Sequence, residues 1–262
     1  MMKAKLYKLE CLTNLHAGSG DVNYNIIDKE VEKDPTTEYP TIHASGVKGA
    51  LRDAAKAAGM DIDYIFGKPG SGNMVSPGKY RFFEAKFLSR PLRVGGNANR
   101  AYVPVTTVQA INDFINLTNS FDCGKISSEI SVDFNKNGKN IKFFVSDASI
   151  TDIEGEKSIE KLDAGLKEIL KPILGETFAI ADSFDDYPLP SVARNHLDDG
   201  GISENLWYEE FVPHQSVFYM IVLRPDDDKI NCDFMEELKV VQFGGNASVG
   251  NGFVKITEFK EA

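Results

Sequence analysis

Asp28, in the run IIDKEVEKD, is a residue whose type and position could do chemistry. It follows Ile26 and Ile27 at the end of a loop rich in Gly, Asn and Asp, so an apolar segment can fix its carboxylate. A carboxylate so placed can hold a divalent metal ion or orient an attacking hydroxyl. Asp21, Glu30, Glu32 and Asp34 surround it, and on its residues alone the segment reads more readily as an acidic surface loop, with nothing to raise Asp28 above its neighbours. His16, close to Gly18 and Ser19, is a candidate to contact RNA or assist proton transfer, or to hydrogen-bond within its own loop.

Other chemistries find no support. His16, His43, His196 and His214 have no i, i+3 or i+4 pairing, and Cys11, Cys123 and Cys232 are too far apart for a zinc site or a disulfide framework. Gly67 to Gly72 and Gly245 to Gly250 have the four-residue gap of a phosphate loop, but Asn73 and Asn251 stand where its lysine must be. No Gly-x-Ser-x-Gly elbow is present, so a covalent hydrolytic intermediate is unsupported. The clusters HAGSG, VGGNANR and GGNASVGNG read as tight turns, or as places where amides approach a polynucleotide backbone. Gly244, Gly245 and Asn246 open the last of them.

The formal net charge of −10 excludes a protein that coats nucleic acid indiscriminately. Charge is nevertheless segregated. Lys79, Arg81, Lys86, Arg90, Arg93 and Arg100 fall between residues 79 and 100 against Glu84 alone, whereas Asp226 to Asp228, Asp233, Glu236 and Glu237 crowd a later stretch. A basic groove on an acidic body and two solvated faces are both compatible with this.

These candidates need elements to hold them. Tyr7, Leu9 and Cys11 alternate with polar residues as in a half-buried strand. Ala44 to Ala58 reads as a helix with Ser45 as N-cap and Val47, Leu51, Ala54 and Ala58 on its apolar side. Lys48, Arg52 and Lys56, four apart, then stack three cations along one flank. Residues 67–78 read as a loop, Tyr80 to Leu92 as a strand that breaks at Pro91, and Thr106 to Leu117 as a helix. Lys142 to Ser146 is a short strand. Ile159, Leu162, Leu166, Ile169 and Leu170 predict a helix that stops before Pro172. Phe218 to Leu223 is apolar throughout, as a central strand should be, and Phe253 to Phe259 supplies a last strand. Pro188, Pro190 and the Asp199 to Gly201 turn predict a protruding hairpin over residues 183–205. The expectation is one α+β domain over 1–262, a split βαβ or ferredoxin-like core with long insertions. No membrane span or signal segment is read, and the cytoplasm is the expected compartment.

Several blocks, in order, resemble the Cmr-type backbone subunit of type III-B CRISPR complexes, within the RAMP superfamily. They are LHAGSG, IIDKEVEKDPTTEYPTIHASGVKGALRD, FFEAKFLSRPLR, SVARNHLDDGG with LWYEEFVPHQSVFY, and VQFGGNASVGNGFV, from about Leu15 to Val254. The resemblance implies a modified ferredoxin-like, RRM-like palm with glycine-rich loops, an inserted lid and a thumb hairpin, stacked as further copies along guide RNA within a complex of other Cmr-type subunits. It implies target-RNA cleavage at Asp28, where a divalent ion, magnesium or manganese, is expected, and guide-backbone contacts from Ser45, Lys48 and Arg52. His16 is a further candidate to assist the cleavage, and Lys56, Arg90, Arg93, Arg194, Gly244, Gly245 and Asn246 are further candidate RNA contacts. The segment from Ala193 to Gly201 matches the thumb, and Glu209 and Tyr208 fall in a matching block. Asn251 departs from the pattern, which usually carries lysine between its final glycines. A noncatalytic scaffold and the Csm-type subunit of type III-A complexes are the alternatives.

Overall fold

The computed structural model describes residues 2–18, 27–68, 76–96, 99–124, 126–230 and 234–259. Ser19, Gly20, Asp21, Ile26, Gly70, Gly72, Asn73, Cys232 and Asp233 lie outside the described residues. In chain order the elements are β1 (Met2–Cys11), α1 (Ala44–Ala57), α2 (Ile62–Phe66), β2 (Gly67–Lys68), β3 (Ser76–Pro77), β4 (Arg81–Phe82), β5 (Lys86–Arg93), β6 (Tyr102–Thr107), α3 (Val108–Ser120), β7 (Phe143–Val145), β8 (Ile159–Lys161), α4 (Ala164–Leu174) and β9 (Ala179–Ala181). There follow β10 (Ser191–Leu197), β11 (Ser203–Glu210), β12 (Val217–Pro225), α5 (Phe234–Leu238), β13 (Val240–Gln242) and β14 (Phe253–Glu258). The chain is thus mixed α/β. It divides into two compact units, one of Met1–Phe87, Leu189–His214 and Phe218–Glu258, the other of Leu88–Pro188, Gln215–Val217 and Phe259–Ala262.

In the first unit the strands run β13-β14-β1-β12, with β4 also paired to β12. The period-2 pattern of β1 does what it predicts: Tyr7, Leu9 and Cys11 are buried, and Leu9 and Cys11 face Ile256 and Val254 of antiparallel β14. Burial pushes the Cys11 thiol up to about 12, which leaves it an inert core group. Phe218 to Val222 of β12 are fully enclosed, matching their uninterrupted apolar run.

Helix α1 buries Val47, Leu51 and Ala55, so the apolar stripe runs through Ala55 rather than Ala54 and Ala58. Nor is Ser45 its N-cap. Ile42 and Ala85 exchange backbone hydrogen bonds of 3.1 and 2.9 Å, which keep the chain extended up to Ile42. His43 therefore becomes the N-cap, without a side-chain hydrogen bond, and Ser45 stands inside the first turn. The hairpin β10–β11 turns through Asp198, whose Oδ1 accepts from Gly200 N at 2.9 Å and Ile202 N at 2.7 Å. Most of its side chains are exposed on both faces.

The second unit orders its strands β5-β6-β9-β7-β8, antiparallel except for β6–β9 and β7–β8. Leu92, Val103, Val105, Phe143, Val145 and Ala179 are among its core. Several expectations fail here. Strand β5 does not break at Pro91 but continues to Arg93, with Pro91 opposite Pro104. A proline nitrogen turned away from the partner strand removes no bond from that ladder. Likewise Ile159 belongs to β8, and α4 begins only after Asp163, whose Oδ1 accepts from Gly165 N at 2.8 Å and Leu166 N at 3.1 Å. It passes through Pro172 near its C-terminal end, and the carbonyl left without a helical donor belongs to exposed Glu168, which is open to solvent. Helix α3 starts after Thr107, which accepts from Ala110 N at 3.1 Å, since Thr106 and Thr107 still belong to β6. Among the described residues no helix is long and apolar enough to cross a membrane.

Leu51 is fully enclosed beneath α1. Leu51→Ala is expected to cost about 2–5 kcal/mol of stability, read as a lower unfolding midpoint in denaturant.

Candidate functional site

Two adjacent buried carboxylates, Glu209 and Glu210 at the end of β11, organise the region around Asp28. A buried carboxylate is tolerated only with donors on its oxygens. Glu209 Oε2 accepts from Arg194 Nε at 3.2 Å and Asn246 Nδ2 at 2.8 Å, and its Oε1 lies 3.7 Å from His16 Nε2. Glu210 accepts from Val31 N at 3.1 Å, with Lys33 Nζ at 3.3 Å. His16 Nδ1 donates to the Glu210 carbonyl at 2.7 Å. The hairpin, the segment after β1, the segment 31–33 and the loop after β13 thus meet at one acidic pair.

Asp28 sits beside that junction. Its Oδ2 accepts from Tyr208 N at 2.7 Å, while the side chain is exposed. Lys29 N donates to Tyr208 O at 3.1 Å, and Lys29 O accepts from Glu210 N at 2.9 Å, so residues 28–29 add a short parallel rung to β11. One carboxylate oxygen is held by the hairpin backbone. The other faces solvent, without a hydrogen-bond partner among the described residues.

The loop after β13 packs inward. Gly244 has φ +70°, and a Cβ there would stand 2.2 Å from the His16 carbonyl oxygen, so only glycine lets the two segments touch. Gly245 N donates to that same oxygen at 2.8 Å, and Asn246 takes the left-handed conformation that aims its amide at Glu209. Gly245's amide and Asn246's side chain are therefore committed within the protein, as is Nδ1 of His16, which is 7% exposed.

The cations divide as well. Ser45, Lys48 and Lys56 are exposed on α1, and Ser45 and Lys48 line a cleft of about 340 Å³ with Pro77, Tyr80, Arg81 and Phe82. Arg52 is half-buried and donates to Gly67 O at 3.0 Å, tying α1 to β2. Arg194 is held by Glu209 as above. In the second unit, Arg90 is 4% exposed, lies 4.4 Å over the Phe184 ring and bonds the Tyr187 carbonyl. It is a core guanidinium and presents nothing to a surface ligand. Arg93 is exposed but grips Glu154 through Nε at 3.0 Å and a terminal nitrogen at 2.8 Å. Burial pushes Glu154 up, and the Arg93 contacts outweigh it and hold the carboxyl below its ordinary range. Lys86 lies 2.9 Å from Glu84 and 3.5 Å from Asp34, so Lys86 and Arg93 of the basic run are matched by acids, while Lys79 and Arg81 are exposed.

Among the described residues no three His, Cys, Asp or Glu side chains gather as a metal cage. Asp28 offers a single open oxygen. That fits a hard cation only where RNA oxygens and water complete its shell.

What sequence reasoning missed was Glu209–Glu210 as the hub. The adjacent pair in LWYEEF at the end of a strand was the available signal: adjacent strand residues point to opposite faces, so two acids there place at least one inward.

The pattern of the RAMP superfamily matches residues 8–255. "CRISPR system Cmr endoribonuclease Cmr4" of Pyrococcus furiosus is 26% identical over 291 residues, covering 98% of this chain and 96% of its own length. A chain of the type III-B Cmr-beta complex bound to cognate target RNA has a similar fold, with TM-score 0.76 at 21% identity over 98% of this chain and 97% of that one. Oligomeric Cmr4 from Pyrococcus furiosus gives TM-score 0.71 at 23% identity, with 98% of both chains covered.

Replacing Glu209 by Ala leaves Arg194 and Asn246 without their acceptor. Amide hydrogen exchange across β10–β11 and at Lys29 is expected to accelerate by about tenfold or more, with β12 unchanged, because a buried charge network is broken locally.

Proposed function

Since the chain belongs to the RAMP superfamily, we propose that it is a backbone subunit of a type III-B CRISPR ribonucleoprotein which binds guide RNA and cuts the paired target RNA. The observation that carries the reading is the docking of Asp28 on the hairpin: Tyr208 N to Asp28 Oδ2 at 2.7 Å, with the remaining oxygen open to solvent. A hairpin exposed on both faces can enter a duplex and part its bases, at a cost of about a few kcal/mol per step. Whatever backbone distortion it produces then falls beside the carboxylate anchored to it.

In this reading β1, α1, β4, β12 and β14 form the modified ferredoxin-like palm, β10–β11 is the thumb, and the second unit carries the lid. Ser45, Lys48 and Lys56 supply the guide-facing surface of α1, with Lys48 and Ser45 in the cleft beside Tyr80 and Phe82. Arg52 orients α1 from its flank. Arg90, Arg194, Gly244, Gly245, Asn246 and His16 act by holding the protein's own segments, and so shape the surface without touching RNA. Further copies of the chain, other subunits and both RNA strands are the partners.

The reaction is transesterification by the target's own 2′-hydroxyl. The 2′-oxygen bonds to phosphorus, the bond from phosphorus to the 5′-oxygen breaks, and one proton leaves the 2′-oxygen while another reaches the departing 5′-oxygen. The products are a 2′,3′-cyclic phosphate and a 5′-hydroxyl. Asp28 orients the 2′-hydroxyl and accepts its hydrogen bond through the open oxygen. A magnesium or manganese ion brought in with the RNA would lower the charge of the phosphate when bound, using Asp28 as its one protein ligand.

In the complex assembled on guide RNA, Asp28→Asn is expected to slow target cutting by about 10²–10⁴-fold while target binding persists. Unchanged cutting would assign the chain to a noncatalytic scaffold. A single 2′-deoxy nucleotide 5′ to the scissile phosphate should abolish product, and continued cleavage there would exclude the 2′-hydroxyl as nucleophile.

A further inference from the structure

Residues 27–34 hold Asp28, Glu30, Glu32 and Asp34 against Lys29 and Lys33. The two lysines have different surroundings. Lys33 Nζ is 3.3 Å from buried Glu210, so its charge is matched inside the protein. Lys29 is exposed, and its Nζ lies 5.1 Å from the centre of the Trp207 ring, with no carboxylate in ion-pair range among the described residues.

Lys29 is also held in place at both ends. Its backbone forms the two hydrogen bonds to Tyr208 and Glu210, of 3.1 and 2.9 Å, and its side chain rests on half-buried Trp207, which faces Arg194 across the hairpin. A ring face holds a cation without occupying its three N–H donors, so the ammonium stays able to bind oxygen. It does so one residue from the carboxylate that is docked on Tyr208.

We propose that Lys29 is a catalytic residue whose ammonium contacts a non-bridging oxygen of the scissile phosphate and neutralises the charge gathered there as the 2′-oxygen bonds to phosphorus. This rests on the reading of Asp28 given above. The electrostatics favour such a group, with or without a metal ion brought in by the RNA. A carboxylate beside a phosphodiester repels it, and the repulsion grows in the transition state, when the equatorial oxygens gain negative charge. A fixed cation adjacent to Asp28 reverses that sign locally without a proton transfer of its own. Lys33 cannot take this role while it matches Glu210.

The test uses the complex assembled with guide RNA, in single-turnover cutting of saturating target. Lys29→Ala is expected to slow cutting by roughly tenfold or more with target affinity and cut position unchanged, and Lys29→Arg to recover most of the rate. A phosphorothioate at the scissile phosphate should slow the unmodified protein and have a smaller effect on Lys29→Ala, a signature that a merely structural lysine would not give. If Lys29→Ala cuts at the normal rate while Asp28→Asn is inactive, the proposal is overturned and the reading of Asp28 stands. If Lys29→Ala loses target affinity in proportion to rate, Lys29 is a general RNA grip and the proposal is again overturned. If Asp28→Asn itself cuts normally, the underlying reading falls and takes this assignment with it.

Discussion

The region around Asp28 depends on the burial of two neighbouring carboxylates. Moving a charge out of water is costly enough that Glu209 and Glu210 can be enclosed only where donors surround them. Those donors come from three parts of the chain, Arg194 on β10, Asn246 after β13, and Val31 with Lys33, while His16 after β1 bonds the Glu210 carbonyl. Each of these segments is a loop or an exposed hairpin strand with little buried apolar surface of its own. The acidic pair therefore does for them what a hydrophobic core does for strands and helices, and with more geometric demand, since an ion pair fixes both distance and direction.

That constraint explains why several glycine-rich segments turn inward. GGNASVGNG has the composition of an anion-binding loop, and its amides read naturally as phosphate contacts. Yet Gly244 lies against the His16 carbonyl, Gly245 donates to it, and Asn246 faces Glu209. The glycines allow close backbone approach, as their type suggests, but the approaching backbone is the protein's own. Composition reports that a close contact exists and is silent about its partner.

Periodicity was legible where one force dominated. Strands β1 and β12 and helix α1 follow from their apolar patterns, because burial alone decides which face turns in. The turn of the hairpin was legible from its Asp and Gly residues, since Asp198 supplies the acceptor the turn needs, but its span was not: the strands run Ser191–Leu197 and Ser203–Glu210 rather than over 183–205. Where two effects compete, the pattern misleads. Pro91 and Pro172 read as breaks and are carried inside their elements, because the missing donor at each is dispensable in its position. Arg90 reads as part of a basic surface run and is enclosed, its guanidinium over Phe184. Charge type does not reveal exposure when an aromatic face and a carbonyl are at hand to receive the cation. Asp28 was singled out from its acidic neighbours only by the family resemblance of its block, and the contact that fixes it, with Tyr208 180 residues later, has no local signature.

The acidic character of the chain then bears on selectivity for its position on RNA. With a formal charge of −10 the body repels a polyanion, and within the run of residues 79–100 Lys86 and Arg93 are matched by Glu84, Asp34 and Glu154. The cations that remain to attract phosphate near α1 are local: Lys48 and Lys56 on the helix, and exposed Lys79 and Arg81 beside its cleft. Few attractive points on a repulsive surface make binding depend on meeting them together, which favours a strand already held in register by base pairing and neighbouring copies. An ammonium beside Asp28 has most effect in such a setting, because screening by a broad cationic surface is absent and each remaining cation acts on the one phosphate within its reach.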